Sequence, residues 1–380
     1  MFGVKYMRRT KTTTDLKLIN RNKVYRYIYE NDKVSKQDLV LALGMSLPTV
    51  SQNLTELFNQ GLLRYAGKFD SSGGRKPKKI TIINNARMAI GVEIKAEHIN
   101  ILAIDLKGNT LPSERIKRSF EVSESYGKYL ASKIEQYIEK NSISPDIILG
   151  IGISIPGVLS DDKSHIINAP TLKVQQVPIE PLTKYIIRKI FIENDANAGG
   201  FAEIHSRKDL NTLAYLSVSE GVGGAFINNG VQYNGMNNRG AEFGHMTIVN
   251  DGKQCACGKL GCLEAYVSTS LLANGKDRKV DAFFEKLKAG EPFSKKKWEE
   301  YLYYLCIGIN NIRTIIDCDV IIGGTLSRYV GDYFEDIKKK LCEITIFDDN
   351  TEFLHRSNYS SNESAIGTAL NFVDEFVKNV

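Results

Sequence analysis

One stretch constrains this chain more than any other: RGAEFGHMTIVNDGKQCACGKLGCLEAYVS, from Arg239 to Ser268. It holds His245, then nine residues, Cys255-x-Cys257, four residues, and Cys262. Half of the six cysteines of the chain fall within eight residues here. One imidazole and three thiolates match the tetrahedral preference of Zn²⁺, and a Cys₃His set closes the shell with no open position. The spacing therefore predicts one structural zinc per chain, held by His245, Cys255, Cys257 and Cys262. The competing reading is three buried thiols near an unrelated histidine.

Two carboxylates flank these ligands: Glu242 stands three residues before His245, and Glu264 two after Cys262. A metal that fixes the loop also fixes the direction of its neighbours. Ionised carboxylates are strong acceptors, so an oriented pair suits a ligand rich in hydroxyl groups. Each glutamate alone would read as a solvated surface charge.

Glu-x-Gly-His followed by Cys-x-Cys-Gly-x-x-Gly-Cys-x-Glu resembles the zinc signature of the ROK family, which contains sugar kinases and sugar-responsive repressors. The resemblance implies a ribonuclease-H-like, actin-like α/β body of two lobes. It also implies that His245 gives one ring nitrogen to zinc and leaves the other for a ligand hydroxyl or a carboxylate.

With 380 residues, 42% hydrophobic and 25% charged, the chain is expected to form two or three globular domains. No apolar run is long enough to span a bilayer; Ile147–Leu159 is broken by glycines and Pro156. The N-terminus lacks the apolar segment of a signal peptide. Cys306, Cys318 and Cys342 sit in apolar or helical contexts and read as reduced core thiols, so a cytoplasmic location is expected.

Charge is unevenly placed. Residues 1–80 carry 16 Lys and Arg against 6 Asp and Glu, or +10, within a chain of +6, which leaves −4 for the remainder. A basic head on a mildly acidic body points to a polyanion partner for the head alone. Its pattern predicts helices over 16–30, 35–43 and 46–60, with Val24 and Ile28 inward on the first and Val50, Leu54 and Leu57 inward on the third. Ser35 and Ser46 are candidate caps, Gly44 a stop, and Pro48 a first-turn residue. Thr49, Gln52, Asn53 and Glu56 form a polar stripe opposite. This is the helix-turn-helix plan, in which the second helix of the motif reads the major groove. Ser46, Thr49, Gln52 and Asn53 are the candidate DNA contacts there. Two short strands follow, around the loop Ser71-Ser72-Gly73-Gly74-Arg75-Lys76-Pro77-Lys78-Lys79. Its basic tip reads as a wing, with Arg75, Lys76 and Lys78 facing phosphates or a narrow minor groove. A dimerising module with a solvated loop is the rival. The winged head also resembles the N-terminal domain of ROK repressors.

Beyond Met88 the order is strand, strand, strand, helix (123–140), then the apolar strand 147–155. The resemblance assigns residues 1–84 to the head, 85–195 to the first lobe with helix 363–380 returning to it, and 196–362 to the second lobe. Where the kinases carry Asp-x-Gly-Gly-Thr, this chain has Glu93-Ile94-Lys95-Ala96-Glu97. Where they carry Gly-Thr-Gly-x-Gly-Gly, it has Ser219-Glu220-Gly221-Val222-Gly223-Gly224. The adenosine-loop equivalent Gly323-Gly324-Thr325-Leu326-Ser327 survives, although tight strand–helix turns need glycine anyway. Phosphoryl transfer is therefore not expected.

The sugar side is better preserved. Asn194-Asp195 matches the family position where Asp195 would be the general base of a kinase, and it also reads as a helix cap. Gly157 and Asn168 match the family's substrate loop and sugar-contacting turn. Together with Glu242, His245 and Glu264 these make the candidate sugar site. The expectation is a DNA-binding, sugar-responsive repressor with a double-stranded operator, a sugar or sugar phosphate as effector, and a homodimer or higher oligomer as its active form. The alternatives are an ATP-dependent sugar kinase with a DNA-binding head and a regulator controlled by a protein partner.

Overall fold

A computed structural model describes residues 13–69, 77–273, 280–345 and 350–380. The chain divides into two compact units. One comprises Met1–Met88, Asp105–Asn109 and Phe372–Val380, and the other Ala89–Ile104 and Thr110–Asn371.

The first unit is the winged helix-turn-helix head. It contains α1 (Thr13–Asn31), α2 (Lys36–Leu43), α3 (Leu47–Asn59), and the antiparallel hairpin of β1 (Leu63–Lys68) and β2 (Lys78–Ile82). The caps are local in origin. Ser35 Oγ accepts from Asp38 N at 3.1 Å while Asp38 Oδ2 accepts from Ser35 N at 2.7 Å, a reciprocal capping box. Gly44, at φ +60°, ends α2. Ser46 Oγ accepts from Thr49 N at 3.3 Å and opens α3, with Pro48 in its first turn. Val24, Ile28, Leu39, Val50, Leu54 and Leu57 are buried together with Ile80 and Ile82. The unit reaches beyond the N-terminal segment. Arg21 Nε and Asn22 Nδ2 of α1 donate to the carbonyls of Val380 and Lys378 at 3.2 and 3.0 Å, and Lys107 Nζ pairs with Asp32 Oδ1 at 2.8 Å.

The second unit holds two five-stranded sheets and a three-stranded one. The first sheet runs β10-β6-β3-β4-β5: β3 (Met88–Ile94), β4 (His98–Asp105), β5 (Glu114–Lys117), β6 (Ile148–Ile155) and β10 (Ile190–Asn194). Between β5 and β6 lies α4 (Glu124–Lys140), opened by Ser123, whose Oγ accepts from Tyr126 N. The second large sheet runs β13-β12-β11-β14-β15: β11 (Leu213–Val218), β12 (Val222–Asn228), β13 (Val231–Gln232), β14 (Asp319–Gly323) and β15 (Leu354–Arg356). Numbered from its own first strand, each sheet has the order 3-2-1-4-5. The topology is thus repeated although the sequence shows no repeat. This is the two-lobed ribonuclease-H-like plan.

Helix α6 (Asp195–Ser206) follows β10 and packs on β11 and β12. Helix α11 (Glu363–Asn379) returns to the first sheet, where Gly91 and Gly152 admit it closely. A Cβ on Gly152 would stand 2.4 Å from the Thr368 carbonyl carbon. Helices α8 (Val280–Lys288), α9 (Pro292–Ile316) and α10 (Phe334–Cys342) complete the second lobe around Phe284, Trp298, Leu305 and Ile309. Lys295 and Lys296 are exposed near the start of α9, while Cys306 and Cys318 are buried. Cys342 is exposed at the end of α10, a correction to its reading as a core thiol. No helix among the described residues is long and apolar enough to cross a membrane.

The small sheet, β7 (Val158–Leu159), β8 (His165–Ala169) and β9 (Val174–Pro178), projects between β6 and the four-residue helix α5 (Glu180–Thr183). With residues 238–242, which precede the Cys/His loop and α7 (Glu264–Val267), it frames the site.

Candidate functional site

The Cys/His loop closes on itself through isolated bridges between Thr247 and Cys262 and between Gln254 and Leu260. It brings one ligand atom from each of His245, Cys255, Cys257 and Cys262 within 4.8 Å of the others. Cys257 and Cys262 Sγ are 3.7 Å apart, and Cys255 Sγ is 3.8 Å from His245 Nδ1. A tetrahedron with Zn–S bonds of about 2.3 Å has edges of about 3.8 Å, so the four donors fit a zinc ion. Burial pushes the Cys255 and Cys262 thiols upward, whereas for Cys257 hydrogen bonds from the Lys259 backbone and neighbouring thiols outweigh burial and lower it.

A polar pocket lies in the second unit. Of the residues expected to bind sugar, Gly157, Asn194 and Glu242 line it. Gly157 has φ +101°, and a Cβ there would stand 2.3 Å from the Asn168 carbonyl oxygen, so only glycine fits this turn. Asn194 caps α6: its Oδ1 accepts from Ala196 N and Asn197 N at 2.9 and 3.0 Å. Its Nδ2 donates to the Gly157 carbonyl at 2.8 Å, tying the pocket loop to the helix. Burial raises the Glu242 carboxyl above the usual range, and the charges of Asp195 and Glu264 add to the effect against His245.

Asn168, Asp195, His245 and Glu264 are not among the lining residues. Asn168 is exposed on β8. Glu264 acts as a strut: Oε2 accepts from Val222 N at 2.8 Å, and Oε1 lies 3.5 Å from Cys255 Sγ. It braces β12 against the Cys/His loop and does not line the pocket. Asp195 Oδ2 accepts from Lys95 Nζ at 3.1 Å, and Lys95 also contacts Glu93 Oε1 at 3.2 Å.

The pocket adds Lys163, Glu193, Asn197 and Asn238, which no motif indicated. Glu193 alone carried a signal, since a carboxylate ending the run Ile190-Phe191-Ile192 must find partners on burial. Asn238 reaches across to Asp161, with Nδ2 2.7 Å from its Oδ1.

The glycine segments are satisfied internally. Gly324 N donates to the Tyr215 hydroxyl at 3.1 Å, Thr325 N to Ser219 Oγ at 2.9 Å, and Ser219 N to the Gly221 carbonyl at 2.9 Å. With Val222 N on Glu264, four backbone N–H groups of these segments have acceptors within the protein.

On the head, Gln52 and Ser46 are exposed and Thr49 half-buried on α3. Asn53 is not on that face. It is 5% exposed, and its Nδ2 donates to the Thr49 carbonyl at 2.8 Å, so the expected base contact is corrected to a packing role. Glu56 lies 3.6 Å from Arg21. Lys78 is exposed at the start of β2, with Nζ 4.4 Å from the Tyr65 ring centroid. Arg75 and Lys76 lie outside the described residues.

The chain matches the ROK family over residues 89–375. A xylose repressor of Bacillus spizizenii is 29% identical over 318 residues, covering 81% of this chain and 82% of that one. Among solved structures, a ROK family transcriptional regulator, homologous to the MLC protein of E. coli, superposes with a TM-score of 0.74 at 19% identity. The match covers 96% of this chain and 97% of the regulator, so it takes in the winged head. The ROK hexokinase of Thermus thermophilus aligns with a TM-score of 0.60 at 25% identity, over 99% of its own length but 76% of this chain. A family match over most of the body, on a two-lobed fold carrying the Cys/His loop, has one meaning: this chain belongs to the ROK family.

Proposed function

We propose that this protein is a sugar-responsive DNA-binding regulator, in the sense of a repressor of carbohydrate-utilisation genes. The observation that carries the reading is a winged helix-turn-helix head joined to a ROK body, a combination matched along 96% of the chain by a ROK family transcriptional regulator. The relative named a xylose repressor supports the same role.

In this reading the exposed face of α3, with Ser46, Thr49 and Gln52, enters the major groove. Gln52 can pair with an adenine edge, and Lys78 with Arg75 and Lys76 contacts the backbone or minor groove. A homodimer or higher oligomer would present two heads to two half-sites. His245, Cys255, Cys257 and Cys262 would hold zinc, which supplies rigidity rather than chemistry. The loop they form places Glu242 at the pocket and Glu264 against β12. Sugar bound among Gly157, Asn194 and Glu242 alters operator affinity by differential binding to two states. A coupling of roughly 1–3 kcal/mol changes that affinity roughly 5- to 150-fold. The protein would act in the cytoplasm.

The kinase reading has Asp195 and the hexokinase likeness in its favour. Against it stands Lys95, whose ammonium is paired with the carboxylate that would take a hydroxyl proton.

The test is fluorescence anisotropy of labelled duplexes from the DNA upstream of this gene and of neighbouring sugar genes, with and without a panel of sugars and sugar phosphates. Specific binding altered by one sugar is the expected result. Binding indifferent to every sugar would remove the effector claim and favour a partner-controlled regulator. Absence of specific binding, together with sugar-dependent ADP formation, would replace the proposal by the kinase.

A further inference from the structure

Glu193, the penultimate residue of β10, has its side chain 8% exposed, on the wall of the pocket. Its Oε1 is crowded, accepting from Lys163 Nζ at 3.0 Å, Asn194 N at 2.9 Å and Asn197 Nδ2 at 3.3 Å. No described residue donates to Oε2. Oε2 keeps exposure to the pocket, where water or a ligand hydroxyl can donate to it. Lys163 is the one cation among the described residues that line this pocket, and it is already paired. It sits in the β7–β8 turn at φ +56°, its side chain is 28% exposed, and an ammonium has three protons, of which one contacts Glu193.

An ammonium and a carboxylate side by side offer one donor and one acceptor at no net charge. A hydroxyl group answers both, because it donates and accepts at once. A phosphate dianion answers neither well. It has no hydrogen for Oε2, and it would meet Glu193 and Glu242 with no unpaired cation on the wall. We propose that Glu193 and Lys163 form a hydroxyl-reading subsite, and that the pocket selects an uncharged polyhydroxy ligand over its phosphate ester. This rests on the sugar-binding reading above and adds to it the class of ligand and the residues that choose.

The experiment is calorimetric titration of the full-length protein with D-xylose, D-glucose and the primary-hydroxyl phosphate ester of D-glucose. Wild type, Glu193→Gln and Lys163→Met are compared after each has shown a cooperative melting curve. Wild type should bind at least one free sugar, and the ester about tenfold more weakly or worse. Each variant should lose about tenfold or more for that free sugar, the scale of one hydrogen bond to a charged group. Glu193→Gln should also narrow the gap to the ester, since Lys163 is then unpaired. Preference of the wild type for the ester overturns the proposal while leaving the sugar-binding reading intact, as does wild-type affinity in both folded variants. Glu193 also holds Asn194 and Asn197, so if Glu193→Gln fails to fold, Lys163→Met decides alone and an unchanged affinity overturns the proposal. If the wild type binds no free sugar and no ester, the sugar-binding reading falls and the subsite falls with it.

Discussion

Lys95 Nζ lies 3.1 Å from Asp195 Oδ2, across one hundred residues of sequence. The same ammonium contacts Glu93 Oε1 at 3.2 Å, and Glu93 is held by Asn100 Nδ2 at 2.6 Å and Ser364 Oγ at 2.7 Å. Lys95, in the turn between β3 and β4, therefore ties the end of β3 to the start of α6.

Removing that cation should destabilise the fold. Burial alone would raise the Glu93 carboxyl, but Lys95 and the bonds from Ser364 and Asn100 outweigh it and hold the group below the usual range. Burial alone would lower Lys95, and Glu93 and Asp195 outweigh that in the other direction. Lys95→Met leaves Glu93 buried without its cation, at a cost of about 3 kcal/mol at neutral pH and above. A depressed carboxyl stabilises above its unfolded pKa and loses that contribution as pH falls through its folded one. A raised lysine contributes below its unfolded pKa and loses that as pH rises through its folded one. The difference between wild type and variant in urea titrations should thus be largest in the neutral to mildly alkaline range and shrink as pH falls into the acid range.

Glu363, at the start of α11, should behave oppositely. Burial, reinforced by the charge of Glu93, raises its carboxyl from 4.5 to about 7. The folded state then favours the protonated form, so this group erodes stability as pH rises through that interval and no further above it. Glu363→Gln should be more stable than wild type at pH 8 by about 2–3 kcal/mol and indistinguishable near pH 4. Equal melting temperatures at both pH values would contradict this.

The Cys/His loop should carry about one zinc per chain by elemental analysis. Zinc added back to chelated protein must displace protons from the raised thiols of Cys255 and Cys262. The calorimetric heat should therefore change with the ionisation enthalpy of the buffer. Cys257→Ser should lower metal content and blunt the sugar response; full metal with full response would defeat the assignment.

On the head, Gln52 and Asn53 should separate. Gln52→Ala should weaken the preferred operator by about 1–3 kcal/mol relative to a mutated one. Asn53→Ala should instead lower the melting temperature of the head by removing its bond to the Thr49 carbonyl, worth about 1 kcal/mol. A specificity change in Asn53→Ala without loss of stability would restore it to the reading face.

Magnesium ATP should leave the melting temperature unchanged. Gly324 N and Thr325 N already donate to Tyr215 and Ser219, and Val222 N to Glu264. A ligand that binds only the folded state must stabilise it, and roughly 3 kcal/mol is expected at a hundredfold excess over its dissociation constant. A clear thermal shift would revive nucleotide binding.

The features legible in the sequence were those decided over a few residues. The cap at Ser35, the stop at Gly44, the buried stripe Val50–Leu54–Leu57 and the clustering of His245, Cys255, Cys257 and Cys262 follow from helical period, side-chain reach and loop length, which covalent geometry sets locally. Asn53 shows the limit. It lies on the edge of a polar stripe, and only the packing of α3 decides that this edge turns inward. The repeated order of the two large sheets, the pairing of Lys95 with Asp195, and the meeting of Lys163, Glu193 and Asn238 at one pocket belong to the tertiary structure. Each of those residues alone reads as an ordinary surface charge or amide. What distinguishes them is which distant segment supplies the partner and how much water remains, and both are settled only when the chain has closed on itself.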